Sequence, residues 1–274
     1  MSTTRLAFVA VSGVVLFGTA YSVLNNTYLD TSNPLLTHLP HPLSKSHRWA
    51  NKANFLNVYF IKRAWGWTSA AFLLAWGTGP PAARTANRLA RWVTATAAWL
   101  LFTAWFFGPA LFERIVLASG GECMLSLPSG DALPLPTEYC HAHTAVSPAT
   151  HPTLFATSSF MLPPEWRATP RLRKGHDVSG HIFLLTLSIL LLAQQLVPSF
   201  AAPRWSVAHL YAVWVVVALI FIWLFASYTT SVYFHSPMEK ITGYILGVAC
   251  FALVQLPEYI ASTMSKPIEK QHTS

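Results

Sequence analysis

Lys174-Gly-His-Asp-Val-Ser-Gly-His181 runs straight into Ile182-Phe-Leu-Leu-Thr-Leu-Ser-Ile-Leu-Leu-Leu-Ala193. A similar arrangement recurs at Ser231-Val-Tyr-Phe-His-Ser-Pro-Met-Glu239, which precedes a second long apolar run. Apolar runs of about 20 residues with few charges are read as membrane-spanning helices. Each stretch therefore sets a histidine where the chain leaves water. If the two runs cross in the same direction, His181 and His235 come to the same face of the bilayer.

The composition agrees. Of 274 residues 53% are hydrophobic and 10% charged, with 11 Trp and 17 Phe, too apolar and aromatic for an ordinary soluble domain. The net charge of +8 does not point to nucleic acid, because the basic residues flank apolar runs and form no separate basic domain. The expectation is an all-α, polytopic helical bundle with six transmembrane helices in one integral membrane domain, residues 1–274. The spans fall at about 6–24, 55–77, 92–112, 178–197, 207–226 and 237–257. The first is read as a retained helix, since no convincing cleavage site follows it. Gly243 and Gly247 give the sixth span a face that permits close helix packing.

Six spans put both termini on one side. The loop carrying Arg84, Arg88 and Arg91 contains no acid and favours that side as cytoplasmic. Loops 25–54, 115–177 and 227–236 are then lumenal. Cys123 and Cys140 suggest a disulfide there, and Asn25-Asn26-Thr27 is a glycosylation pattern. The run Cys140-His-Ala-His143 could instead bind metal, but no second paired ligand motif accompanies it.

In this topology spans four and six begin on the lumenal side. Helix starts carry free N–H groups and the positive dipole end, which suit phosphate. His181 follows Ser179 and Gly180 in the first turn of span four, where a glycine lets the backbone approach a ligand. Lys62, Arg63, Arg173 and Lys174 could neutralise the anion. One histidine can attack phosphorus while the other protonates the leaving oxygen. Glu239, four residues beyond His235, can orient the imidazole. It can equally cap the sixth helix, because Ser236-Pro-Met-Glu239 is a capping box. His209, at the far end of a span, reads as structural.

Three blocks resemble the fat storage-inducing transmembrane protein family. They are Asn54-Phe-Leu-Asn-Val-Tyr-Phe-Ile-Lys62 with Trp65-Gly-Trp-Thr68, His176-Asp-Val-Ser-Gly-His181, and Thr229 to His235 with Glu239-Lys240. The resemblance spans most of the chain, excepting loops 25–50 and 115–170. It implies residence in the endoplasmic reticulum membrane, a lipid phosphate phosphatase-like core, and acyl-CoA diphosphatase activity. That reaction cleaves the pyrophosphate of a fatty acyl-CoA into acyl 4′-phosphopantetheine and adenosine 3′,5′-bisphosphate. It also implies a part in lipid droplet formation and binding of diacylglycerol and triacylglycerol. Val178-Ser-Gly-His181 resembles the Pro-Ser-Gly-His block whose histidine protonates the leaving group, and His235 resembles the nucleophile. Glu239 stands where those enzymes keep an aspartate. The chain departs from the wider group in lacking a Lys-x6-Arg-Pro block and in having Tyr228-Thr229 where a Ser-Arg pair should precede the nucleophile. Neither metal nor cofactor is required.

Two other readings stand beside the diphosphatase. One is a non-catalytic binder of neutral lipid, compatible with the aromatic-rich spans. The other is a phosphatase of lipid monoesters, which the same chemistry would serve. A transporter is disfavoured, because no inverted repeat is evident.

Overall fold

Backbone that leaves water must satisfy its own N–H and C=O groups, so the apolar runs become helices. The computed structural model describes residues 2–29, 40–104, 109–155 and 162–264. Helix α1 (Thr3–Leu24) is followed by two short 3-10 turns, Pro42–Ser44 and Arg48–Ala50. A π-helical stretch, Leu56–Phe60, and a 3-10 turn, Ile61–Arg63, lead into α2 (Ala64–Thr78). Helices α3 (Ala86–Thr103) and α4 (Leu111–Ala118) precede a small sheet of β1 (Glu122–Ser126), β2 (Ala132–Leu135) and β3 (Arg171–Arg173). Between β2 and β3 lie the short helices α5 (Thr137–His141) and α6 (Pro152–Phe155). Three long helices close the chain, namely α7 (Gly180–Ala201), α8 (Val207–Tyr233) and α9 (Pro237–Met264).

Among the described residues, four helices are long and apolar enough to cross a membrane: α1, α7, α8 and the Pro237–Leu256 part of α9. The expected second and third spans are not among them. Helix α2 has 15 residues because the π and 3-10 turns around Lys62 and Arg63 interrupt the regular ladder before it. Helix α3 starts six residues before the expected span, at Ala86, and ends at Thr103, with Arg88 and Arg91 in its first half. The expected end of that span at 112 falls beyond residues 105–108, which lie outside the described residues.

Helix α7 is the hub, packed against α1, α2, α3, α8 and α9. Its most apolar window is 78% buried, against 33–39% for the other three long helices, so those carry the outward-facing apolar surface. It runs through Pro198, where the sequence suggests a loop. Proline cannot donate to the carbonyl four residues back. Arg88 supplies the missing donor, its Nη1 reaching the Gln194 carbonyl at 2.9 Å. Thr4 Oγ1 lies 2.7 Å from Gln194 Oε1. The start of α1, the start of α3 and the end of α7 thus share one end of the bundle, where His209 is buried between Ser199 and Thr78.

At the opposite end, two expected loops are shorter or more ordered than their composition suggests. Helix α8 continues to Tyr233, which reduces the loop expected at 227–236 to Phe234, His235 and Ser236. The long segment 115–177 holds an antiparallel sheet of order β2-β1-β3, so the chain is mainly but not wholly α-helical. The sheet has its own small core of Leu125, Leu127 and Val146. A disulfide joins Cys123 on β1 to Cys140 on α5.

Candidate active site

The site begins with two helix starts locked together. Ser179 caps α7, its Oγ accepting from the Ile182 N–H, and its own N–H donates to the Glu239 carbonyl at 3.0 Å. This approach requires glycine on α9. A Cβ added at Gly243 would lie 2.6 Å from the Ser179 carbonyl oxygen, and one at Gly247 would lie 2.8 Å from that of Phe183.

His235 occupies the tight link between α8 and α9. Its φ of +60° is left-handed, a conformation that costs a non-glycine residue on the order of 1–3 kcal/mol and persists only where the surroundings enforce it. Glu239, 1% exposed, supplies that enforcement. Its Oε2 accepts the Ser236 N–H at 2.7 Å and stands 3.6 Å from His235 Nδ1. Its Oε1 accepts the Asp177 N–H at 3.3 Å. One carboxylate therefore caps α9, faces the imidazole and anchors the approach to α7. With Nδ1 beside Glu239, Nε2 is the nitrogen left for a substrate.

Two cavities meet at this point. The larger, about 800 Å³, is lined by Trp65, Trp99, Phe102, Phe112 and Leu184 together with the first turns of α2 and α7. The smaller, about 330 Å³, is lined by Lys52, Asn54, Asn57, Arg171, Arg173 and the end of α8. Ile61, Lys62, Asp177, His181 and His235 line both. The two histidines thus stand at the junction of an aromatic chamber and a cationic one.

The electrostatics of the smaller chamber are unbalanced. Burial, and then repulsion between the two guanidinium groups, lowers the pKa of Arg173. Lys52 is open to solvent, yet desolvation by the protein around it lowers its pKa, with Arg173 and Arg171 repelling it in turn. Among the described residues, no carboxylate lies within ion-pair distance of these three cations. Asp177 reaches solvent through the cavities it lines, yet the protein around it strips hydration and raises its carboxyl above the usual range. His235 and Arg173 oppose that rise and Glu239 adds to it.

The sequence-derived candidates divide as follows. His181 and Lys62 line both chambers, Arg63 and Gly180 the larger, and Arg173 the smaller. Ser179 is buried as a cap, and Glu239 stands behind His235 and lines neither chamber. Lys174 is turned away, its Nζ 2.7 Å from Glu122 on β1. His176 bonds Thr242. Cys140 is committed to the disulfide and is lost as a metal ligand, while His141 and His143 face Glu113. Sequence reasoning missed Lys52 and Asp177. Asp177 lies within the quoted histidine block, and Arg171 shares the alternation Arg171-Leu-Arg173 that would place both arginines on one face of a strand.

Comparison with known proteins follows the same outline. Residues 45–211 and 203–255 match the model of the family described as fat storage-inducing transmembrane protein. The chain is similar to acyl-coenzyme A diphosphatase fit1 of Schizosaccharomyces pombe, 27% identical over 75% of this chain and 72% of the relative. It is also similar to the acyl-coenzyme A diphosphatases FITM2 of Mus musculus, 29% identical over 76% and 71%, and of Homo sapiens, 27% identical over 76% and 71%. No solved structure matches. The matched segments include the link bearing His235, both helix starts and the cations of the smaller chamber, and by this match the chain belongs to the fat storage-inducing transmembrane protein family.

Proposed function

We propose that this protein is a membrane-embedded acyl-CoA diphosphatase. The observation that carries the reading is the junction of an aromatic chamber and a cationic chamber at His181 and His235. A fatty acyl-CoA has the same plan, an apolar tail and a polyanionic nucleotide on either side of a pyrophosphate. His235 Nε2 attacks one phosphorus of the anhydride, and the bridging P–O bond breaks. His181 gives its proton to the departing oxygen, a pyrophosphate beside it favouring the imidazolium that can do so. Water then hydrolyses the phosphohistidine with His181 as base, so that the first step frees one of acyl 4′-phosphopantetheine and adenosine 3′,5′-bisphosphate and the second frees the other. Glu239 positions His235 and stabilises positive charge on its ring. Lys62, with Arg63, Arg173 and the start of α7 at Ser179 and Gly180, stabilises charge on the phosphates.

In the same reading the whole chain is one integral membrane domain of the lipid phosphate phosphatase type, in the endoplasmic reticulum. Helices α2 and α3, extended by the turns beside them, complete six crossings. The end bearing Arg84, Arg88 and Thr4 is cytoplasmic, and the end bearing the disulfide and the histidines is lumenal. The aromatic chamber also suits diacylglycerol or triacylglycerol, which connects the site to lipid droplet formation.

The test is turnover of oleoyl-CoA, phosphatidate and lysophosphatidate by purified protein in detergent. Adenosine 3′,5′-bisphosphate released by wild type and not by a folded His235→Ala protein is the expected result. Phosphate from the monoesters alone would assign a lipid phosphatase. Absence of turnover in folded protein would leave neutral-lipid binding.

A further inference from the structure

The cationic chamber holds more positive charge than a pyrophosphate needs. Lys62 lines both chambers and stands at the junction with the histidines, whereas Lys52, Arg171 and Arg173 do not line the larger chamber. Arg171 and Arg173 alternate with Leu172 along β3, and the pleat puts their side chains on one face. Lys52 comes from a turn far away in the chain. Nothing local forces these three together. The sheet holds β3 in place, with Cys123 opposite Leu172 on β1 and Cys123 tied to α5 by the disulfide.

Among the described residues, Lys52, Arg171 and Arg173 line this space with Asp177 as the one carboxylate, and the three cations repel one another. Such an arrangement is compensated when a polyanion enters. Counting charge identifies the polyanion. A pyrophosphate diester carries two negative charges, and a phosphate monoester adds about 1.5–2 near pH 7. Among the described residues the chamber carries four cations, Lys52, Lys62, Arg171 and Arg173, against the single carboxylate Asp177, a net of three to four positive charges that approaches that sum and exceeds what a single lipid phosphate carries.

We infer, resting on the diphosphatase reading, that Arg171 and Arg173 with Lys52 form a subsite for the 3′-phosphate of the CoA nucleotide, and that this subsite makes the enzyme select acyl-CoA over lipid monoesters and over 3′-dephospho-CoA thioesters. A substrate without the 3′-phosphate leaves the three cations to repel one another, with Asp177 as the one described carboxylate in the lining. A site built to pair with a charged group discriminates against analogues that lack it. The guanidinium fork suits a phosphate monoester, whose oxygens accept paired N–H groups.

The experiment compares kcat/KM for oleoyl-CoA and oleoyl-3′-dephospho-CoA, using full-length protein in detergent. Wild type is expected to prefer oleoyl-CoA by roughly 10–100-fold, the scale of one charge-assisted hydrogen bond. In Arg171→Gln/Arg173→Gln protein that ratio should collapse toward one, mainly through KM for oleoyl-CoA. A wild type without preference, or a double variant that keeps it, overturns the subsite. Binding of adenosine 3′,5′-bisphosphate and of adenosine 5′-monophosphate to His235→Ala protein, measured by calorimetry, needs no turnover. Tighter binding of the bisphosphate, lost in the arginine variant, supports the subsite even if the diphosphatase reading fails. Equal binding of the two nucleotides overturns it.

Discussion

Replacing Glu239 by Gln removes one charge and almost no volume, and its consequences can be worked out. Oε2 faces the Ser236 N–H and His235 Nδ1, and Oε1 faces the Asp177 N–H. A carboxylate accepts from all of them, whereas an amide must turn its NH2 toward one of these donors. The loss of a charge-assisted bond at this buried position costs about 1.5–3 kcal/mol of stability. The kinetic effect is larger. Attack through Nε2 makes the His235 ring cationic, and a carboxylate 3.6 Å from Nδ1 stabilises it. At an effective dielectric constant of about 20 that attraction is about 4–5 kcal/mol. Its loss in the transition state corresponds to a kcat roughly 10³-fold lower. Glu239 lines neither chamber, so KM for oleoyl-CoA should stay near its wild-type value. The assay is steady-state release of adenosine 3′,5′-bisphosphate from purified Glu239→Gln protein, with elution profile and thermal midpoint as controls for folding. A folded variant whose kcat lies within about 3-fold of wild type would refute the assignment of Glu239 as the partner of His235.

Three further outcomes are expected. The disulfide closes a loop of sequence separation 17, which cross-linking stabilises by about 3 kcal/mol in the chain-entropy model. Cys123→Ser/Cys140→Ser protein should therefore be cut faster by protease within 115–177. It should show a raised KM for oleoyl-CoA with a smaller change in kcat, because the histidines lie on other elements; an unchanged KM despite faster cleavage would count against the sheet as the support of the arginines. Gly243→Leu should lower both the thermal midpoint and kcat, since overpacking of this kind costs about 1–3 kcal/mol and pushes α9 off α7. Gly77→Ala is the matched control, because a Cβ there meets nothing within 4 Å. Asp177 has its carboxyl raised by burial, so its contribution to stability is greatest below its unfolded pKa and declines as pH rises through the folded one. Asp177→Asn should accordingly raise the thermal midpoint at pH 7 relative to wild type, and by less at pH 4; a variant less stable than wild type at pH 7 would reverse that sign.

Much of the site was legible because its parts are local. Ser236-Pro-Met-Glu239 announces a helix start, and the Ser236 N–H does bond the Glu239 side chain. Ser179 likewise caps α7 as a serine before an apolar run should. Gly243 and Gly247 mark the face of α9 that meets α7. Helix boundaries were less legible. Helix α8 runs seven residues past the expected 226, to Tyr233, because Thr229, Thr230 and Ser231 are buried among helices, where polarity alone would have put them in a loop. Near Lys62 and Arg63 the opposite happens, and an apparently continuous run is broken by π and 3-10 turns.

The sequence by itself determined four segments that form helices long and apolar enough to cross a membrane, where α7 and α9 begin, and that two histidines stand at those beginnings. These follow from sums over neighbouring residues, namely apolar transfer, helix caps and glycine spacing. Only the tertiary structure decided which cations face the histidines. Lys174 and Arg173 are adjacent in the chain, yet one pairs with Glu122 and the other enters the chamber beside Lys52. That choice depends on strand pairing, a disulfide and helix packing between distant segments, whose energies appear only when the segments meet.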